Sequence, residues 1–121
     1  MRIALIAHET RRNLMVEFCM AYSNELSRHD LIASEDISSI VHGTRCGVNV
    51  QTCLTEIFQQ LQAKITCGDV DMVIFLRDPH DHKTVAQELN PILFVCDVHN
   101  IPIATNIATA ERLILGISMG W

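Results

Sequence analysis

The sequence predicts an α/β fold, a single domain over residues 1–121 built on a five-stranded parallel sheet with helices on both faces. Three observations carry that reading. Met72-Val73-Ile74-Phe75-Leu76 is an apolar run of strand length, set between Asp71 and Arg77-Asp78-Pro79. A strand buried on both faces has that length and those flanks, and belongs in the middle of a parallel sheet. Ile3–Ala7 repeats the pattern near the N-terminus, and between such runs apolar residues recur at helical spacing.

In chain order, Ile3–Ala7 is the first strand and ends at His8-Glu9-Thr10, where Thr10 can cap the next helix. Leu14, Met15, Phe18, Cys19, Tyr22 and Leu26 then follow helical periodicity. Leu31–Ala33 is a short second strand running into Ser34-Glu35-Asp36, and a helix from about Ile37 to His42 ends at Gly43. Val48–Val50 is a brief third strand. Leu54 to about Lys64 reads as helix, with Leu54, Ile57, Phe58, Leu61 and Ile65 on one face and Gly68 as its C-terminal stop. After the central strand, Val85–Leu89 makes a helical turn or two. Asn90-Pro91 restarts the helix, because proline suits a first helical position and not an interior one. That piece reaches about Val98; Ile103–Thr105 is the last strand and Thr109–Ile117 the last helix.

At 121 residues and 49% hydrophobic content the chain can bury a real core without staples. No apolar run approaches the roughly eighteen residues of a membrane span. Met1-Arg2 leads straight into the first strand without the basic-then-apolar pattern of a signal peptide. Five cysteines (Cys19, Cys46, Cys53, Cys67 and Cys96), odd in number and without a Cys-x-x-Cys pair, read as free thiols in a reducing compartment. A net charge of −5 with no basic stripe argues against nucleic acid and anionic membrane as partners, though not against a small anion held locally.

In open α/β sheets ligands bind beyond the carboxyl ends of the strands. Asp78 sits at such an exit, under the loop Pro79-His80-Asp81-His82-Lys83, and can equally be the start of a solvated loop. His8 and Glu9 leave the first strand, with Arg11 and Arg12 at the start of the helix. A guanidinium beside a helix N-terminus is a plausible anion site; Arg12 is the candidate, and Arg11 reads as a surface charge. His80 and His82 invite a metal reading, but two more ligands are needed and no Cys or His run supplies them, so a solvated loop is the simpler account. His29, His42 and His99 stand alone near element ends. No Gly-x-Ser-x-Gly, Gly-x-Gly-x-x-Gly or P-loop is present, and no cofactor is expected.

Three stretches resemble the methylglyoxal synthase family: Ile3–Glu9 with Arg12; Gly68-Asp69-Val70-Asp71 through Asp78-Pro79; and Asn100-Ile101-Pro102-Ile103-Ala104-Thr105-Asn106 with Ala108-Thr109-Ala110-Glu111. The resemblance implies a three-layer sandwich with strand order 3-2-1-4-5, a homohexamer, and a cytoplasmic lyase that eliminates phosphate from dihydroxyacetone phosphate. Related domains serve as regulatory ligand sites or as a cyclohydrolase. The reaction needs a carboxylate base to form an enediolate and donors that hold the departing phosphate.

Carried over residue by residue, the family's His-Asp after the first strand is His8-Glu9, its phosphate-side lysine is Arg12, and the aspartate of the central Asp-Pro is Asp78. The Thr-Gly-Thr-Thr-Gly phosphate loop falls on Ser34-Glu35-Asp36-Ile37-Ser38, where two carboxylates would repel a phosphate. The loop bearing the catalytic aspartate is shortened, and its Gln-Gln tail, matched to Gln59-Gln60, puts Phe58 at the base position. A Pro-His-Asp-Pro-Asp segment falls on Thr84-Val85-Ala86-Gln87-Glu88, so its histidine becomes Val85; His80 or His82 could stand in from a shifted loop.

Two expectations follow. In one the chain is a methylglyoxal synthase with His8 polarising the carbonyl, Asp78 as base, and Arg12, Glu9 and Ser34 holding a triose phosphate. In the other it is a degenerate member with the reaction weakened or lost, a regulatory or small-ligand-binding domain whose ligand is neutral or cationic.

Overall fold

The computed structural model describes residues 1–44, 47–82 and 85–119. Of the positions named above, Cys46, Lys83, Thr84 and the side chains of Val85 and Ala86 lie outside the described residues. Strands β1 (Arg2–Ala7), β2 (Asp30–Ser34), β3 (Val50–Leu54), β4 (Met72–Leu76) and β5 (Ile103–Ala104) form one parallel sheet in the order β3-β2-β1-β4-β5. Helices α1 (Arg12–Ala21), α2 (Ser23–Leu26), α3 (Glu35–Gly43), α4 (Ile57–Thr66), α5 (Asn90–His99) and α6 (Ile107–Ser118) fill the connections.

Side chains along a strand point alternately to opposite faces, so each central strand feeds two cores. Ile3 and Leu5 of β1, with Met72, Ile74 and Leu76 of β4, pack on one side against Met15, Phe18, Ile37, Val41 and Ile114 of α1, α3 and α6. Ala4, Ile6, Val73 and Phe75 face the other way, onto Ile57, Leu61 and Ile65 of α4 and Ile92 and Cys96 of α5. All five residues of β4 are buried, as the apolar run demands. The result is three layers, helix–sheet–helix.

Two helices end on left-handed residues, the first of them at the glycine stop read from the sequence. Gly68 takes φ +78°; its N–H donates to the Ile65 carbonyl and the Asp69 N–H reaches back to Lys64, which closes α4 in a Schellman turn. Asn100, at φ 59°, ends α5 the same way, with the Ile101 N–H on the Cys96 carbonyl. Pro91 stands in the first turn of α5, continuing a π-helical turn over Val85–Leu89.

Other boundaries move. The third strand is Val50–Leu54, not Val48–Val50: Cys53 and Leu54 pair with Ala33 and Ser34, so Leu54 belongs to the sheet and α4 starts at Ile57. Leu54 fitted the helical spacing equally well, and strand pairing decided its place. Thr10 does not cap α1; Glu9–Arg11 form a 3-10 turn and the Thr10 hydroxyl is used elsewhere. The last helix begins at Ile107, where Asn106 accepts from the Thr109 N–H as N-cap, and β5 stops at Ala104. No described helix is long and apolar enough to cross a membrane.

Candidate functional site

The connection from β1 crosses one way to β2 and the chain later returns to β4 on the opposite side, so β1 and β4 flank the switch point of the sheet. Beside it, beyond the carboxyl ends of β1 and β2, lies a cleft of about 310 Å³. His8, Glu9 and Arg12 enter it from the end of β1 and the start of α1, and Ser34 and Asp36 from the β2–α3 junction. Phe58 of α4, Asp81 and Glu88 complete its functional lining.

His8 is fixed on three sides. Its backbone N–H donates to the Leu76 carbonyl at 3.0 Å, its ring stands edge-on against Phe75 with centroids 5.3 Å apart, and its Nδ1 accepts the Asp78 backbone N–H at 2.6 Å. A ring nitrogen that accepts an N–H carries no proton, so the proton resides on Nε2. That Nε2 is buried, has no hydrogen-bond partner among the described residues and lies 3.9 Å from the Glu88 carboxylate, beyond hydrogen-bond reach. Here is an N–H donor held in a fixed direction, the group needed to polarise a carbonyl oxygen.

Arg12 places one guanidinium nitrogen 2.6 Å from Asp36 Oδ2, while its buried Nε has no partner among the described residues. The cause lies in the α3 terminus. Ser34 is the N-cap but makes no side-chain cap bond, and Glu35 and Asp36 occupy the first turn. Acidic side chains there favour the positive end of the helix dipole. Asp36 therefore supplies, from within the protein, the negative charge that a bound phosphate would bring to the same helix end and the same arginine.

Charge across the cleft is lopsided. Glu9, Asp36, Asp81 and Glu88 face one arginine that is already paired. Burial pushes the Glu88 carboxyl above its ordinary value, with Asp81 adding to the rise and His8 opposing it.

Asp78 is not among the residues that line this cleft. Its carboxylate accepts the His80 backbone N–H at 3.0 Å and the Thr10 hydroxyl at 2.9 Å. Those bonds, the first above all, hold it below the usual carboxylate range, with the charge of Arg11 assisting. What Asp78 brings to the cleft is its backbone N–H on His8. Of the five sequence candidates, the cleft thus assembles His8, Glu9, Arg12 and Ser34, and leaves the Asp78 carboxylate outside.

Two lining residues were not singled out from the sequence. Glu88 matched the final aspartate of the Pro-His-Asp-Pro-Asp segment, a signal that was present and pointed to the cleft. Asp81 stood in a stretch read as a solvated loop. His80 and His82 are exposed and outside the lining, and no group of three metal-ligating side chains occurs among the described residues.

Comparison with known proteins agrees with this fold. The chain is 43% identical over 123 aligned positions to a methylglyoxal synthase of Caldicellulosiruptor saccharolyticus, covering 99% of this chain and 86% of the relative. It is 41% identical to a methylglyoxal synthase of Thermoanaerobacter sp., covering 99% and 92%. The crystal structure of methylglyoxal synthase from Elizabethkingia anophelis superposes with a TM-score of 0.82 at 27% identity, over 93% of this chain and 76% of that one. No family model matches the chain.

Proposed function

The chain belongs to the methylglyoxal synthase family, and on that premise we propose that it keeps the family's site without the family's grip on phosphate. Elimination of phosphate from dihydroxyacetone phosphate is weak or absent here, and the cleft takes a small neutral or cationic carbonyl compound. The observation that carries this is the Arg12–Asp36 contact at 2.6 Å, in a cleft whose other charged side chains are carboxylates. A dianion entering it would have to separate that pair and approach Glu9, Asp81 and Glu88. Each lost oxyanion donor costs about 10²–10³ in rate, and a missing base about 10²–10⁴ more.

A ligand with one carbonyl would satisfy the Nε2–H of His8, with Ser34 and Glu9 offering further polar contacts. The test is phosphate release from dihydroxyacetone phosphate by the purified full chain, in a coupled assay. Turnover at or near the uncatalysed background is expected; robust conversion would sink the proposal.

One observation favours residual lyase chemistry. Glu88 is the cleft carboxyl whose pKa burial raises, and it neighbours His8 Nε2, so a proton acceptor and a carbonyl-polarising donor stand side by side. On that reading any remaining turnover disappears in Glu88→Gln and survives in Asp78→Asn. The homohexamer that family resemblance suggests would give a partner to Phe94 and Val98, which stand exposed one helical turn apart on α5. Light scattering decides that point.

A further inference from the structure

A second cavity, of about 380 Å³, opens beyond the carboxyl ends of β4 and β5. Its lining differs in kind from that of the His8 cleft: Arg11 and Arg77 supply charge, Leu14, Leu76, Pro79 and Ile107 supply apolar surface, and no carboxylate is among them. The Arg11 Nε–H leans on the Arg77 carbonyl at 3.4 Å, which brings the two residues together. Neither guanidinium is in an ion pair among the described residues, whereas Arg2 and Arg12 both are. Thr105 and Asn106, at the start of the twelve-residue α6, close the remaining side. We propose that this cavity is a binding site for a small organic anion, a carboxylate or phosphate monoester carrying an apolar body.

The chemistry of the lining sets that class. Two arginines that form no ion pair among the described residues, Arg11 feeling only the exposed Asp78 carboxylate beyond contact distance, present planar forks suited to carboxylate or phosphate oxygens, and the apolar residues between them would shed water onto a hydrocarbon or aromatic body. The inference does not rest on the reading of the His8 cleft, because the two linings share no residue.

Titrating phenyl phosphate, benzoate and benzyl alcohol into the ¹⁵N-labelled full chain tests it by amide chemical shifts. Saturable shifts are expected around Arg77 and Thr105–Ile107 for the two anions, with Kd on the order of 1 mM. Arg77→Gln and Arg11→Gln should each weaken both by about tenfold or more, and Arg77→Glu should abolish them. Arg12→Gln should change neither. Phosphate and carboxylate arms of unequal affinity would say which head group the site prefers. Benzyl alcohol binding as tightly as the anions would overturn the proposal, as would shifts centred on His8 and Arg12 and lost in Arg12→Gln. Absence of saturation by any probe up to about 20 mM would overturn it too.

Discussion

The Arg12 guanidinium lies 2.6 Å from the Asp36 carboxylate, and on the proposed function that pair decides which ligands the cleft admits. As a stabilising contact it matters little: both side chains are partly solvent-exposed, and such pairs contribute roughly 0.2–1 kcal/mol. Its consequence is electrostatic, since it cancels the one arginine positioned beside the α3 N-terminus.

Asp36→Asn should therefore release Arg12 and remove a repelling charge together. Inorganic phosphate is expected to bind the variant at least about tenfold more tightly than the parent chain, by isothermal titration. Raising the salt concentration should shrink the gain, as screening requires. Equal affinity in the two proteins would show that the phosphate site is lost for reasons other than Asp36.

Glu88 gives the cleft a pH signature. Its folded-state pKa is raised, so the native state binds the proton more tightly than the unfolded chain does. Stability linked to this group is thus fully present below the unfolded value, near 4.5, and declines as pH rises through the folded one. Glu88→Gln removes the titration. The variant should be the more stable at pH 7, by less than about 1 kcal/mol because Glu88 is partly solvated, and the two denaturation midpoints should converge as pH falls below 4.5. A difference that stays constant across that range would contradict the raised pKa.

Asp78 runs the opposite way. Its depressed pKa means its contribution is present above the unfolded value of about 3.8 and disappears as pH falls through the folded one. Asn in its place can still accept the His80 N–H through Oδ1 and donate its Nδ2–H to the Thr10 hydroxyl oxygen, and the backbone N–H that orients His8 is unchanged. Asp78→Asn should leave ligand binding and any residual turnover within about twofold of the parent chain. A loss of two orders of magnitude would mean that the carboxylate turns toward the substrate after all.

The fold was legible because its determinants are local and redundant. Met72–Leu76 can be little other than a central strand, and Gly68 and Asn90-Pro91 punctuate the helices through backbone constraints alone. The β3–α4 boundary was not legible, because Leu54 satisfies both the strand and the helix pattern, and only pairing with Ser34 separates them. At the site, His8, Glu9 and Arg12 were found because they sit at a strand end or helix start, and Ser34 through its match to the family's phosphate loop. Asp78 sits at such an end as well, yet its carboxylate is captured by Thr10, a contact across 68 positions of sequence that no spacing argument reveals. Glu88 was reachable through its match to an acidic position, but its value as a titrating group depends on burial beside His8, a property of the folded chain.

Phe58 offers the sharpest test of what has been lost. Its ring lines the cleft and rests on Phe75 with centroids 5.8 Å apart, at the position where family resemblance would put a carboxylate base. Phe58→Asp alone should restore little, because a substrate whose phosphate is not held spends no time in reacting geometry. Asp36→Asn alone improves the grip but supplies no base. Since one group abstracts the proton while the other retains the substrate, neither is of much use alone, and the double variant should release phosphate from dihydroxyacetone phosphate about 10²-fold faster than either single one, well beyond the product of the two single effects. Strong interaction between two substitutions on opposite walls of one cleft is hard to obtain from a merely structural effect. Strictly additive or null behaviour, with both proteins folded by circular dichroism, would place the original base somewhere other than Phe58.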